Sequence, residues 1–389
     1  MTIRTEGDHW IPQGFESFVV KAGSKGNAVG FVCVASRRPC RAHALFTQSR
    51  FAGPCVIVSR ELAAAEDAQA VVTVVKNSNV ATGQEGLANA HEVVDAVGSQ
   101  LEIPSEKILV AATGTTGRRW PMDEVRQHLG DVGRGMQQAD FDAVAEGIMT
   151  TDLVPKIVSA RVGDAAIVGV AKGVGMVEPN MATVLVYFFT DADVPADELK
   201  NIFRGAVERT FNCLSVDTDT STSDTAIIFA NGMAGPVEMS EFASAVDGIA
   251  GELVRKLARD GEGATKLLEV TVQGGRDYAQ AKRVAKSVVN SPVVKTAIHG
   301  QDPNWGRITV AIGKCEDDTD IEPEHTTIAI SGLEVFPADV EDRLPELADL
   351  LSNERVEIRI DLGIGDASAT VWGCDMTEEY VKINAEYST

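Results

Sequence analysis

The first half of the chain is patterned mostly as short β-strands. Runs of apolar, often β-branched residues are separated by glycine, asparagine or charged turns, which is typical of buried strands. The predicted strands are FVCVAS (31–36), PCVIVS (54–59), AVVTVV (70–75), KILVAA (107–112) and AAIVGVA (165–171). Helical spacing is clearest over residues 88–98 and 140–149.

Strands and helices are mixed more evenly in the second half. Apolar residues recur at helical spacing over 195–209 and again over 242–257. Further strands are predicted at 225–230, 269–273, 307–313, 326–331 and 357–362. Because the elements follow no strict βαβ rhythm, a layered α/β (α+β) body is favoured over a doubly wound parallel sheet.

Charge and cysteine content narrow the classes of function. The chain has 389 residues, with 35 Lys and Arg against 57 Asp and Glu, and a net charge of −22. This acidic excess argues against binding to nucleic acid or to anionic membranes. The longest apolar run, ATVLVYFF (182–189), is too short to span a bilayer. Six scattered cysteines without a CxxC pair predict a reducing, cytoplasmic location, and neither a zinc site nor a disulfide framework.

The segment with the most distinctive chemistry is KGVGMVEPNMATVLVYFFTDA (172–192). Gly173 and Gly175 permit positive φ and close backbone approach, and the Pro179–Asn180 pair marks a turn. One interpretation is an ordinary hairpin whose second strand opens at Thr183. The alternative is that Thr183 becomes the first residue of a new chain and acts as a nucleophile.

The second interpretation supplies a complete catalytic group. A threonine hydroxyl is a weak nucleophile that needs a base, and a chain-terminal threonine carries one in its own α-amine, whose pKa lies near neutrality. To free that amine, the Ala182–Thr183 bond must be cut. The same hydroxyl can attack the Ala182 carbonyl and form an ester that water opens.

The segment KGVGMVEPNMAT resembles the cleavage and nucleophile motif of the ornithine acetyltransferases, the glutamate N-acetyltransferases of arginine biosynthesis. Seven further blocks match that family in order: FTQSRFAGPCVIVSRE (46–61), AATGTTGRRWPMD (111–123), IMTTD (148–152), DTDTSTSDTAIIFANG (217–232), DGEGATKL (260–267), VVNSPVVKTAIHGQDPNWGR (288–307) and NAEYST (384–389). KNSNVATG (76–83), Thr218 and Ser223 depart from the arginine-pathway pattern. In these positions, and in GVGMVEP, the sequence is closer to the paralogue of clavulanic acid gene clusters.

The resemblance implies a fold and an activity. The fold is a layered αββα sandwich of the N-terminal-nucleophile-like ornithine acetyltransferase/DmpA type, with a smaller C-terminal α/β domain. Self-cleavage gives an α chain (1–182) and a β chain (183–389), which remain together and assemble as α2β2. The implied reaction moves an acetyl group from N-acetylornithine to glutamate through acetyl-Thr183, without a cofactor. The alternatives are a hydrolase or acyltransferase of secondary metabolism on the same scaffold, and an uncleaved binding protein.

Site residues follow from the same resemblance. Thr113 and Gly114 match the family's oxyanion-hole pair, although the residues alone would be interpreted as a turn at a strand end. Substrate contact is implied for Thr183 and for six further residues: Thr150, Thr151, Lys172, Glu262, Asn384 and Thr389. Spacing does not choose between Thr150 and Thr151, and Thr151 is preferred.

Three other signals are interpreted as structural. His299 is expected to be a hydrogen-bonded residue and not a general base. The acidic residues Asp217, Asp219 and Asp224 alternate with Ser and Thr, which suits turns and caps better than a metal site. The GVG at 173–175 does not extend to a dinucleotide-binding GxGxxG.

Overall fold

The computed structural model describes residues 2–23, 28–178 and 184–386. They form two compact units. The first unit contains the described residues up to 173, then 184–212 and 220–253. The second contains 174–178, 213–219 and the described residues from 254 onward. Each unit is therefore assembled from segments that lie on both sides of the predicted cleavage point.

The first unit contains two β-sheets. In spatial order, the six-stranded sheet consists of β1 (Thr2–Arg4), β8 (Lys156–Val162), β9 (Ala165–Lys172), β10 (Leu185–Asp193), β11 (Thr225–Pro236) and β4 (Arg41–Phe46). The five-stranded sheet consists of β6 (Ile108–Thr115), β5 (Ala70–Asn77), β3 (Gly30–Ser36), β2 (Phe15–Val20) and β7 (Gln137–Gln138). Within these sheets, the β10–β11 and β5–β6 pairs are parallel and the other pairs are antiparallel.

The two sheets pack face to face on a shared apolar core. Alternate residues of most of these strands point into this core, as the two-residue period of a strand requires. Phe189 of β10 stacks on Phe229 of β11 at 5.4 Å between ring centroids. The hydroxyl groups of Tyr187 and Thr73 meet across the interface at 2.9 Å, so this pair joins the two sheets by a buried hydrogen bond.

Helices cover the outer face of each sheet. The five-stranded sheet is covered by α1 (Pro54–Leu62), α2 (Gly83–Leu101) and α3 (Met122–Gly135), which share its second apolar cluster. On the six-stranded sheet, Phe188 contacts Phe203 of α5 (Ala196–Arg209). Gly169 lies against Ile249 of α6 (Met239–Arg259). A short helix, α4 (Phe141–Gly147), contributes to the core between the sheets. The layer order is helix, sheet, sheet, helix, which confirms the predicted αββα sandwich.

The second unit is the smaller α/β body that was expected. Its sheet runs in the order β14 (Leu333–Phe336), β13 (Thr327–Ile330), β15 (Arg355–Asp361), β12 (Leu267–Gly275) and β16 (Ala367–Cys374). Its helices are α7 (Tyr278–Val289), α8 (Pro292–Gly300), α9 (Gly306–Gly313), α10 (Leu344–Leu351) and α11 (Glu378–Glu386). Helix α7 packs on β12 and β16. Among the described residues of either unit, no helix combines the length and apolarity needed to cross a bilayer.

Two predicted strands are helices in the structure. Residues 54–59 belong to α1, which has a proline at its first position and turns Ser59 toward β6, where its Oγ donates to the Val110 carbonyl at 2.6 Å. Residues 307–313 belong to α9, which buries Ile308, Ala311 and Ile312. A short apolar run has no decisive period, so the strand predictions for both segments were wrong. The strand predicted from Thr183 is present from Leu185 onward, and Thr183 lies outside the described residues.

Candidate active site

Three strands of the six-stranded sheet meet at one edge near the predicted cleavage point. Lys172 is the last residue of β9 and pairs with Leu185 at the start of β10. Leu185 pairs in turn with Thr225, the first residue of β11, whose backbone N–H donates to the carbonyl of Val184 at 3.1 Å. The predicted nucleophile Thr183, its cleavage partner Ala182 and the C-terminal Thr389 all lie outside the described residues.

Lys172 and Thr113 are in direct contact across the two sheets. The Lys172 Nζ donates to the Thr113 Oγ1 at 2.9 Å, and each residue is only 8% exposed. Thr113 and Gly114 are near the carboxyl end of β6, where they pair with Val75 and Lys76 of β5. Two of the residues named from sequence, 59 positions apart, are thus brought together.

The backbone at Gly114 accepts no side chain. Its φ is +119°, a conformation that L-residues rarely adopt, and a Cβ built there would lie 2.2 Å from the carbonyl carbon of Lys76. The neighbouring backbone on β5 is also unusual, because Lys76 has a φ of +77°. The close approach of β5 and β6 beside Thr113 therefore depends on glycine at position 114.

We expect Gly114→Ala to disrupt this site. The added methyl must separate β5 from β6, which should lower the melting temperature by several degrees and reduce enzymatic turnover at least about 10²-fold by displacing Thr113. The matched control is Gly130→Ala in α3, where a Cβ meets nothing within 4 Å. That change should be neutral or stabilising by up to about 1 kcal/mol. Equal melting temperatures for the two variants would contradict the prediction.

Asp152, which the sequence analysis missed, connects a cluster of side chains that includes Lys76, Lys156, Lys172 and Thr113. Its Oδ1 accepts hydrogen bonds from the Lys156 Nζ at 2.7 Å and from the Gly173 N–H at 3.0 Å. Its Oδ2 accepts from the Thr150 N–H at 3.1 Å, and the Thr150 carbonyl accepts from the Lys76 ammonium. The only available signal was its position at the end of the IMTTD block. The structure connects Thr150 to the cluster through its backbone N–H and carbonyl groups.

Burial controls the charges of this cluster. Burial lowers the pKa of Lys172, while the negative charge of Asp152 acts to raise it. Burial by itself would raise the pKa of Asp152, but the ammonium groups of Lys172 and Lys156 bring it below its usual value. Burial also raises the pKa of Asp224 well above its ordinary value, which favours the neutral acid. Because the lysines outnumber the ionised carboxylates, the cluster favours an anion, such as a carboxylate or an oxyanion.

The second unit brings together Glu262 and Asn384, which are also predicted site residues. The Asn384 Nδ2, on α11, donates to the Glu262 Oε2 at 2.9 Å, and Glu262 is 8% exposed. The Glu262 N–H donates to the Val174 carbonyl at 2.8 Å. A Cβ at Gly175 would lie 2.3 Å from the Glu262 carboxyl carbon, so this glycine is required for close contact. Gly175 therefore permits close packing within the second unit.

The segment 174–178, which precedes the predicted cleavage loop, is anchored within the second unit. Asp217 accepts hydrogen bonds from the Met176 and Val177 N–H groups at 2.7 and 2.8 Å, which confirms its interpretation as a turn-and-cap residue. The Glu178 carboxylate, which the sequence analysis did not single out, accepts from three side chains: Ser215 Oγ at 3.0 Å, Lys286 Nζ at 3.1 Å and Asn290 Nδ2 at 2.5 Å.

The remaining candidates from the sequence are His299, metal-ligating side chains and the cysteines. The His299 Nδ1 lies 3.1 Å from the Asp375 Oδ2, in agreement with its interpretation as a hydrogen-bonded structural residue. Within residues 2–23, 28–178 and 184–386, no group of three or more His, Cys, Asp and Glu side chains is placed to hold a metal ion. In the same described part of the chain, none of the cysteines forms a disulfide.

Comparison with known proteins gives matches over nearly the whole length. The ArgJ family model matches residues 16–389. The arginine biosynthesis bifunctional protein ArgJ 2 of Nostoc sp. is 52% identical over 379 residues, which cover 97% of this chain and 98% of that protein. Glutamate N-acetyltransferase Oat2 of Streptomyces clavuligerus is 50% identical over 385 residues, with 97% and 98% coverage. Among solved structures, the arginine biosynthesis bifunctional protein argJ of Bacillus halodurans is 36% identical, covers 52% of this chain and 97% of its own, and has a TM-score of 0.48.

Proposed function

Because the chain belongs to the ArgJ family, we propose that it is a self-processing acyltransferase that moves an acetyl group from N-acetylornithine to glutamate. The observation that supports this most directly is the buried contact between Lys172 and Thr113. Lys172 pairs with Leu185, the first residue of β10, so this contact lies near the start of β10. The reaction needs no cofactor, because the acetyl group passes from one amine to another through an ester.

Self-cleavage is the first chemical step in this proposal. The Thr183 hydroxyl attacks the Ala182 carbonyl carbon, the peptide C–N bond breaks, and the proton moves to the released nitrogen of Thr183. Water then hydrolyses the ester, which leaves a carboxylate on Ala182 and a free hydroxyl and amine on Thr183. The products are residues 1–182 and 183–389. Each structural unit contains segments from both products, which supports the expectation that they stay associated.

Acetyl transfer follows as two half-reactions. The Thr183 hydroxyl attacks the acetyl carbonyl of N-acetylornithine while the Thr183 α-amine takes the hydroxyl proton and passes it to the leaving amine. The tetrahedral oxyanion is stabilised by Thr113 and Gly114 and breaks down to acetyl-Thr183 and ornithine. The amine of glutamate then attacks the ester carbonyl carbon, and the bond from that carbon to the Thr183 oxygen breaks. The Thr183 α-amine passes a proton from the attacking amine to that oxygen, and N-acetylglutamate leaves.

The charges of Lys172 and Glu262 suit amino-acid substrates. Lys172, in a cluster with excess positive charge, is proposed to hold a substrate carboxylate. Glu262, oriented by Asn384, is proposed to bind a substrate ammonium group. Thr150, Thr151 and Thr389 complete the proposed set of substrate contacts. We further propose an α2β2 assembly in the cytoplasm, with no nucleic-acid or membrane partner.

The experiment that tests this function follows the fate of the acetyl group. Intact-mass spectrometry after incubation with N-acetylornithine should find one added acetyl group on the 183–389 piece. The acetyl-enzyme should decay much faster with glutamate than in buffer alone, because glutamate is the acceptor. Decay at one rate in both conditions would instead support a hydrolase. Acceleration only by another amine would support an acyltransferase of secondary metabolism, the alternative suggested by GVGMVEP, Thr218 and Ser223.

A further inference from the structure

The hydrogen bond between Lys172 and Thr113 has one possible direction while Lys172 is charged. The Lys172 Nζ lies 2.9 Å from the Thr113 Oγ1. An ammonium group has three donors and no lone pair, so the hydroxyl oxygen must accept. The Thr113 hydrogen is then left to donate to another group, and an oxyanion hole needs such a donor.

A neutral lysine would remove this constraint. Its amine has a lone pair that can accept the Thr113 hydrogen, which would turn the hydroxyl toward Lys172 and away from a substrate. Burial favours the neutral form, because Lys172 is only 8% exposed and its burial lowers the pKa. The use of Thr113 as a donor therefore depends on the group that keeps the proton on Lys172.

Asp152 is the carboxylate placed to provide this counter-charge. Its Oδ1 lies 3.0 Å from the backbone nitrogen of Gly173, the residue after Lys172, and its Oδ2 lies 3.1 Å from that of Thr150. Among the described residues, the charged groups that act most strongly on Lys172 are Asp152, Lys156, Asp224 and Lys76. Lys156 and Lys76 carry the same charge as Lys172. Burial favours the neutral form of Asp224, which leaves Asp152 as the main anion.

We propose that Asp152 is a positioning residue which, by keeping Lys172 protonated, directs the Thr113 hydroxyl hydrogen toward the oxyanion of the reaction. Asp152 need not touch substrate, because its effect passes through Lys172. The inference rests on the proposed acyl transfer, since it assigns to Asp152 a role within that reaction.

The test compares two variants so that folding is preserved. Asp152→Asn alone would remove the carboxylate that forms an ion pair with Lys156, which is fully buried. We therefore compare Asp152→Asn/Lys156→Met with Lys156→Met, in which the Asp152 carboxylate remains. The kcat of the double variant is divided by the kcat of Lys156→Met at each pH from about 6 to about 9. The titration of the substrate amines affects both values equally and cancels in this ratio.

The ratio should be near one at acidic pH and fall as pH rises. Loss of the Asp152 charge lowers the Lys172 pKa further, so the double variant loses the Lys172 proton at a lower pH than Lys156→Met does. At about pH 9 we expect a loss of about 10²-fold in kcat, which is the contribution of one oxyanion donor. If the double variant is not self-processed, lowering the pH to the acidic end of this range should restore its cleavage.

Two further comparisons separate positioning from a general structural role. Asp191, in β10, is also a buried aspartate and accepts hydrogen bonds from the Gln13 and Ala166 N–H groups, each at 2.8 Å. Asp191→Asn should lower stability but leave the pH profile of kcat unchanged. In a Lys172→Met background, adding Asp152→Asn/Lys156→Met should cause no further loss of kcat, because the effect passes through Lys172.

The outcomes distinguish this inference from the proposed function. Parallel pH profiles, no recovery at acidic pH, or an additive loss in the Lys172→Met background would overturn the role of Asp152. Absence of acetyl transfer by the unmodified protein would instead overturn the proposed function itself.

Discussion

Thr183→Ala is expected to give an uncleaved chain of 389 residues with no acetyl transfer. The substitution removes the hydroxyl that the proposed mechanism uses twice, first to attack the Ala182 carbonyl and then to carry the acetyl group. Loss of a nucleophile lowers kcat by about 10⁶-fold in comparable enzymes, so activity should fall to background. Denaturing electrophoresis and intact-mass spectrometry report the cleavage, and an acetyl-transfer assay reports the activity.

Thr183→Ser is the matched control, because it keeps a hydroxyl and, once cleaved, a terminal amine. It should still be processed and retain part of the activity. N-terminal sequencing of the active wild-type protein should find a chain that begins Thr-Val-Leu-Val. Cleavage and transfer by Thr183→Ala at the wild-type rate, or no such N-terminus in active material, would refute the nucleophile assignment.

Thr113→Val should reduce kcat by about 10²–10³-fold while KM changes little. Valine keeps the shape of threonine but lacks the hydroxyl, so one donor to the developing oxyanion is lost, and such a donor contributes mainly in the transition state. Steady-state kinetics with N-acetylornithine and glutamate measure both constants. The melting temperature should be recorded as well, because Lys172 also loses its 2.9 Å partner.

The control for this prediction is Thr73→Val on the neighbouring strand β5. Thr73 is buried and its hydroxyl bonds to that of Tyr187 at 2.9 Å, within the core between the sheets. Its replacement should cost about 1–3 kcal/mol of stability through the unpaired Tyr187 hydroxyl, and kcat should not change. An equal loss of kcat in both variants would show that Thr113 acts through packing alone.

Most strands could be predicted because strong local patterns specify them. The continuous apolar runs of β10 and β11 indicate buried strands without knowledge of their neighbours. Residues 54–59 and 307–313 were assigned to strands because a short apolar run suits either element. Which element forms there depends on contacts such as that of Ser59 with the Val110 carbonyl, 51 residues away.

The candidate site could likewise be predicted only in part from the sequence. Family motifs located Thr113, Lys172, Glu262 and Asn384 along the chain, but not what each of them contacts. Asp152 carried no local signal that separated it from other acidic residues, because its importance comes from two buried lysines and two backbone N–H groups around it.

The sequence by itself determined the possible covalent chemistry, because cleavage and nucleophilic attack require only an Ala182–Thr183 bond and the hydroxyl beside it. It also determined the family, through motifs whose order is written along the chain. Only the tertiary structure decided which charges are buried together and that Lys172 contacts Thr113. These properties depend on distance and on the exclusion of water, and strand pairing sets both between residues that are far apart in sequence.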